Sequence, residues 1–180
     1  GLKDLLPDPE RIYKVRHHPS LPYSEVPDFM ARLRGIEGVV PRALEIIVLT
    51  ALRSSEVTGA RWDEFDLEKR IWTIPASRMK GKKFEENEHQ VPLSARCLTI
   101  IEELKGVSTS PEFVFPGLEG KPVSGMALRK ALARADVVAT PHGMRTSFRT
   151  WLAEETNFQS ELGEMALAHK VGSAVERVYQ

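Results

Sequence analysis

Arg53, Lys80, His142, Arg145, His169 and Tyr179 are scattered along the chain, yet their side chains together suit one reaction. Guanidinium groups can hold the non-bridging oxygens of a phosphodiester and stabilise the charge that builds on it during attack. A phenol can be the attacking group if cations or a base make the phenolate accessible, because a free phenol has a pKa of about 10. A lysine on a hairpin can donate a proton to the departing alkoxide. In that chemistry the arginines stand where other enzymes use a metal.

Each residue also has a plainer reading. His142 and Arg145, in His142-Gly143-Met144-Arg145, stand three apart and share a helix face. Both fall in the first turn after Thr140-Pro141, where free N–H groups favour an anion, and Gly143 leaves room for a bulky ligand. Taken alone, they could equally belong to a solvated polar stripe running on to Arg149. Arg53 sits at an elbow between two helices, where Glu56 can hold its guanidinium and leave other donors for phosphate. An internal Arg53–Glu56 pair that only fixes the elbow is compatible with that role. Arg78, Lys80, Lys82 and Lys83 form a basic run that is either a groove-entering hairpin tip or a solvated charge run. His169 could simply meet its own helix dipole, and Tyr179 could be a packing residue.

The elements that must position these groups follow from periodicity. Residues 1–22 hold four prolines and no sustained apolar period, so they read as a linker or arm in which His17 and His18 are solvated. Val26, Phe29, Met30 and Leu33 mark a first amphipathic helix. A second spans Pro41 to Leu52, with Leu44, Ile47, Val48 and Ala51 inward, and Ser54 is the expected N-cap of a short third. The period then changes: Phe65 to Leu67, Ile71 to Ile74 and Gln90 to Leu93 predict three short antiparallel strands. Pro92 puts the third at an edge. Ser94 caps a helix through Leu104, and another runs from about Ser124 to Ala135. Thr140-Pro141 opens a helix carrying Met144, Phe148, Trp151 and Leu152 on one side. Residues 160–168 form a short helix, and Ser173 to Glu176 has the capping-box spacing of a last one bearing Tyr179. The fold class is α+β, mainly α, with a helical core and a small three-stranded antiparallel sheet.

Composition sets bounds. The 180 residues suffice for one domain with a good core, and 42% apolar with 28% charged content is that of a globular protein. No apolar run approaches the roughly 20 residues of a membrane span. The lone Cys97 excludes an internal disulfide and continues the apolar stripe of Ile100, Ile101 and Leu104, so its expected job is packing. A net charge of zero argues mildly against DNA binding, but the basic run answered by Glu85, Glu86 and Glu88 shows that the sum can hide a positive groove. A metal-dependent nuclease would need clustered ligands, and those three glutamates on a loop are a poor set. A DNA-binding module without cutting activity would lack a catalytic position, and none is missing.

In this order, Arg53-x-x-Glu56, a hairpin lysine, His142-x-x-Arg145, His169 and Tyr179 resemble the tyrosine recombinases of the phage integrase family. Ala60-Arg61-Trp62, Trp72-Thr73-Ile74-Pro75, Val91-Pro92-Leu93-Ser94 and Leu167-Ala168-His169-Lys170-Val171-Gly172 look like P4-type prophage and genomic-island integrases, as does the linker His17 to Tyr23. The resemblance covers residues 17 to 180 and favours an integrase over a type IB topoisomerase, which shares the cation set and would also nick and rejoin strands.

It implies a tyrosine-recombinase catalytic domain over 23–180, with 1–22 as the linker from an absent N-terminal core-binding domain. It implies Arg53 and Arg145 on the scissile phosphate, His142 assisting proton transfer, Lys80 as general acid, His169 on the phosphate, Tyr179 as nucleophile and Glu56 supporting Arg53. Arg78, Lys82, Lys83 and Arg149 would contact DNA. No metal or other cofactor is expected. The implied partners are double-stranded attachment sites, a homotetramer on DNA in the full-length protein (this fragment being monomeric) and an excisionase as directionality factor, in the cytoplasm at the bacterial nucleoid and away from membranes.

Overall fold

The computed structural model describes residues 18–79 and 88–168. Lys80, Lys82, Lys83, His169, Tyr179 and the final helix expected from Ser173 lie outside the described residues.

Helix α1 (Val26–Arg34) buries Phe29, Met30 and Leu33, as its spacing requires. Helix α2 (Val39–Thr50) begins two residues before the expected Pro41, since proline is tolerated in a first turn. It stops before Leu52 because Ala51 adopts a left-handed conformation, φ 52°. Helix α3 (Ser54–Thr58) follows at once, and Arg53 rather than Ser54 occupies its cap position.

Strands β1 (Phe65–Asp66), β2 (Ile71–Ile74) and β3 (His89–Pro92) form an antiparallel sheet in the order β1-β2-β3. Phe65 pairs with Trp72 and their rings stack at 4.9 Å, while Ile71 pairs with Pro92 and Ile74 with His89. Pro92 thus lies on an edge strand, where its missing N–H breaks no inner ladder.

Helix α4 (Ala95–Val107) is capped by Ser94, whose Oγ accepts the Cys97 N–H, and α5 (Gly125–Arg134) is capped by Ser124. Cys97 is buried in the core as expected, and burial pushes its thiol pKa up. Helices α6 (Gly143–Glu155) and α7 (Ser160–Ala166) close the described chain. Among the described residues, no helix is long and apolar enough to cross a membrane.

Helix α2 is central, touching α1, α3, α4, α5 and α6. Its side chains Ala43, Leu44, Ile46 and Ile47 are almost wholly buried, with Phe29, Leu33, Ile100, Phe115 and Leu128 in the same core. Buried among them is Glu45, which receives Arg96 through two 3.0 Å hydrogen bonds, Arg42 from one turn earlier and Arg34 at 3.4 Å. Burial would raise the pKa of this carboxyl, but Arg96 and Arg42 outweigh it and hold the value below its ordinary range.

One expectation for α6 changes. The buried positions of α6 are Gly143, Met144, Arg145 and Ser147, whereas Trp151 is 40% exposed. The inward stripe is more polar than hydrophobicity suggested because it faces backbone carbonyls. Leu21, in the stretch read as a linker, is only 6% exposed and packs in the core.

Candidate active site

The α2–α3 elbow carries Arg53 at its bend. Its backbone N–H donates to Glu56 Oε2 at 2.9 Å, and its guanidinium donates to Glu56 Oε1 at 2.8 Å. A carboxylate three residues into the helix satisfies the free cap N–H and suits the dipole there. Glu56 is buried, while the Arg53 side chain keeps 19% exposure. The internal pair of the plainer reading therefore forms, and it leaves other guanidinium donors toward the surface.

Arg145 reaches the same elbow from α6. It is 4% exposed and donates from Nη1 to the Ala51 carbonyl at 2.5 Å and from Nη2 to the Leu167 carbonyl at 2.6 Å. Ala51 ends α2, and Leu167 follows the last residue of α7, so one guanidinium ties two helix C-termini, where cations are favoured. The left-handed turn at Ala51 costs about 1–2 kcal/mol for a non-glycine residue. The contact with Arg145 helps to offset that cost.

The two arginines feel each other. Burial, and next the Arg53 charge, bring the Arg145 pKa down to about 10, against the opposing pull of Glu56 and Glu164. Arg145 remains charged at neutral pH, and an anion beside it would relieve the repulsion.

His89, which the sequence reading passed over, lies in the same field. It is half-buried on edge strand β3, on the same side as buried Val91. Burial lowers its pKa, Arg53 and Arg145 add to the effect, and Glu56 opposes it. The only sequence signal was strand alternation in His89-x-Val91, which puts both side chains on one face.

His142 stands at the N-terminus of α6, exposed, with the His18 ring edge-on to it at 4.9 Å. Thr140 Oγ1 accepts the Gly143 N–H at 3.0 Å, as expected of a capping residue, although the helix itself starts at Gly143. Gly143 does not make room for a ligand. A Cβ there would stand 2.0 Å from the Pro19 carbonyl oxygen, so the glycine admits backbone of residues 19–20.

Arg78, expected at DNA, turns inward. Its Nε and Nη2 donate to the two carboxylate oxygens of Glu64 at 2.7 and 2.6 Å, and Nη1 reaches the Glu56 carbonyl at 3.1 Å. The same Glu64 accepts the Trp72 indole N–H at 2.9 Å. Arg78 thus braces the helix that holds Arg53, because a buried carboxylate next to it takes its donors. Arg149 is 63% exposed and paired with Glu164 at 2.9 Å. Tyr23 makes a poor nucleophile, since its hydrogen bond to Glu155 pushes its pKa up to about 12. The structure therefore brings Arg53, Glu56 and Arg145 together with His89, and sets His142 one helical turn from Arg145.

Solved structures share this architecture. The chain matches the Tn1549 transposon integrase bound to transposon right-end DNA with a TM-score of 0.67 at 18% identity, covering all of this chain and 65% of that one. For the XerH recombinase bound to its difH substrate the values are 0.65 and 24%, covering 89% and 49%. In sequence, it is 36% identical to the integrase of Enterobacteria phage P4 in an alignment that covers 92% of this chain and 42% of that protein. It is likewise 36% identical to prophage integrase IntZ of Escherichia coli K12, over 91% of this chain and 40% of the relative. The chain thus spans well under half the length of these two relatives. The model of the phage integrase family matches residues 20–180, the stretch holding both arginines of the elbow and both ends of the expected catalytic set. A tyrosine-recombinase fold, close sequence relatives and a family match over almost its whole length agree: this chain belongs to the phage integrase family of tyrosine recombinases.

Proposed function

We propose that the chain is the catalytic unit of a site-specific recombinase that integrates and excises a mobile element. The observation that carries this reading is the convergence of Arg53 and Arg145 on one elbow, with Glu56 holding the first and charge repulsion acting on the second. Two partly opposed guanidiniums form a prepared site for one phosphodiester.

In the proposed reaction, Arg53 and Arg145 hold the non-bridging oxygens of the scissile phosphate. The Tyr179 oxygen attacks phosphorus, and His142 assists removal of the phenol proton. The bond to the 5′ oxygen breaks, and Lys80 supplies the proton that oxygen needs. His169 contacts the phosphate. The product is a 3′-phosphotyrosyl link that stores the ester energy, so a 5′-hydroxyl from another strand can reverse the step and rejoin DNA. The partners of this reading are double-stranded attachment sites, a homotetramer on DNA and a directionality factor, acting in the cytoplasm at the nucleoid. The P4 and prophage integrases among the relatives support that setting.

A nicked suicide DNA substrate offered to the full-length protein in EDTA tests the reading. A covalent protein–DNA adduct is expected, and it should vanish with Tyr179→Phe. Cleavage that disappears on chelation, or an adduct that survives Tyr179→Phe, would refute the assignment.

A further inference from the structure

The segment from His18 to Tyr23 is held along α6 at successive points. The Pro19 carbonyl accepts the Thr140 N–H at 3.0 Å. Its oxygen and the Ser20 Cα occupy the space that a side chain at residue 143 would need, with would-be contacts of 2.0 and 2.9 Å. Ser147 donates its hydroxyl to the Leu21 carbonyl, and Leu21 itself is buried. The Tyr23 hydroxyl donates to Glu155 at 2.8 Å, near the far end of the helix. Residues 140, 143, 147 and 155 thus receive residues 19, 19–20, 21 and 23 in order, which makes the segment a strap laid from one end of α6 to the other.

His18 is the next residue outward, directly before a proline whose ring limits its backbone freedom. Its ring meets His142 edge-on, with centroids 4.9 Å apart and planes at 64°. That is a favoured geometry for two aromatic rings, and it brings His18 against an exposed histidine at the start of α6.

We propose that His18 is a positioning residue: anchored by the strap, it holds the His142 imidazole in the orientation needed at the scissile phosphate. This rests on the recombinase reading for the role of His142, while the strap itself stands on geometry alone. His18 supplies an edge contact and touches no reacting atom. A ring of the same shape should therefore replace it.

The test measures covalent adduct formation on suicide DNA by the full-length protein at saturating DNA, together with DNA affinity. His18→Ala should slow adduct formation about tenfold, the scale of one lost aromatic edge contact, with affinity unchanged. His18→Phe should restore the rate to within about twofold, because the ring pair is retained. In a His142→Ala background, His18→Ala should have no further effect, since coupled residues are not additive. The His142 imidazole resonances in DNA-free protein should also move on His18→Ala, a readout independent of activity.

Weakened DNA binding without rescue by phenylalanine would make His18 a direct DNA contact and overturn the proposal. An equal loss in the His142→Ala background, or unmoved His142 resonances, would also overturn it. If His142→Ala slows the reaction while His18→Ala does not, the positioning role alone fails. If His142→Ala reacts at the normal rate, the recombinase reading of His142 is what fails.

Discussion

Arg78 and Arg145 are both arginines turned into the protein, and their partners differ in kind. Arg78 meets a carboxylate: Glu64 takes two of its donors, so the pair carries no net charge. Arg145 meets backbone carbonyls at Ala51 and Leu167, which satisfy hydrogen bonds without cancelling charge. Glu56 and Glu164 act on Arg145 from nearby, yet its pKa still falls to about 10 under burial and the Arg53 charge. A buried arginine on a carboxylate is a brace. Under the proposed function, one on carbonyls beside a second arginine is part of the site that holds the phosphate. The Glu45 cluster belongs with the brace, because there the acid is central and the arginines gather around it.

The sharpest way to break this contrast is Arg145→Ala. Adduct formation on suicide DNA should fall by at least 10²–10³-fold, about the loss seen when one transition-state donor is removed. Arg145→Lys should recover little of that, since an ammonium cannot span two carbonyls and a phosphate with a planar fork. Near-normal adduct yield from Arg145→Ala would place Arg145 among the braces.

Glu45→Ala should act on stability and leave chemistry alone. Removing the acid from a buried ion cluster costs about 3–5 kcal/mol, and the partial exposure of Arg34, Arg42 and Arg96 puts the loss at the lower end. Denaturant unfolding should report it, with adduct formation per folded molecule unchanged. The pH dependence has a definite sign. The folded carboxyl titrates below its ordinary 4.5, so its contribution is present above about pH 4.5 and is lost as pH falls through the folded value. Glu45→Gln should flatten that acid limb.

Arg78→Ala separates brace from DNA contact. Adduct formation should fall roughly tenfold as the Glu56 helix loosens around Arg53, a cost of about 1.4 kcal/mol. The salt dependence of DNA affinity should hold, because a lost phosphate contact would lower its slope by about one. A reduced slope would return Arg78 to the DNA surface.

What the sequence made legible follows range. The α1 stripe of Phe29, Met30 and Leu33, the cap at Ser94, and edge placement of Pro92 depend on neighbours a few residues away. Glu56 was readable for the same reason, being three residues from Arg53. Gly143 was misread because the backbone that needs its missing side chain is Pro19, far away in the sequence. His18 and Leu21 sat in a proline-rich stretch with no period, so nothing local announced that they pack on α6. Arg78 looked like part of a basic run because its acid, Glu64, comes from the far side of β2. Spacing put Arg145 on one face with His142, but the structure buries Arg145 and leaves His142 exposed, because the anchoring of Arg145 to the ends of α2 and α7 is tertiary.

The gentlest probe of the contrast is His89, which reports on the field without being changed itself. In the fold, burial and then the two arginines set its pKa below the ordinary 6.5, so the folded state disfavours the imidazolium. Unfolded chain takes up a proton near pH 6.5 before folded chain does, and stability should therefore decline as pH drops below that value toward the folded one. An anion seated between Arg53 and Arg145 reverses the sign of the nearest added charge. It should move the His89 midpoint upward, because a nearby opposite charge favours the imidazolium. Proton NMR titration of the imidazole with and without vanadate or a short DNA duplex would record the shift. A midpoint that ignores the anion would mean that the phosphate sits elsewhere, and with it the distinction between the Arg145 site and the Arg78 brace would lose its electrostatic basis.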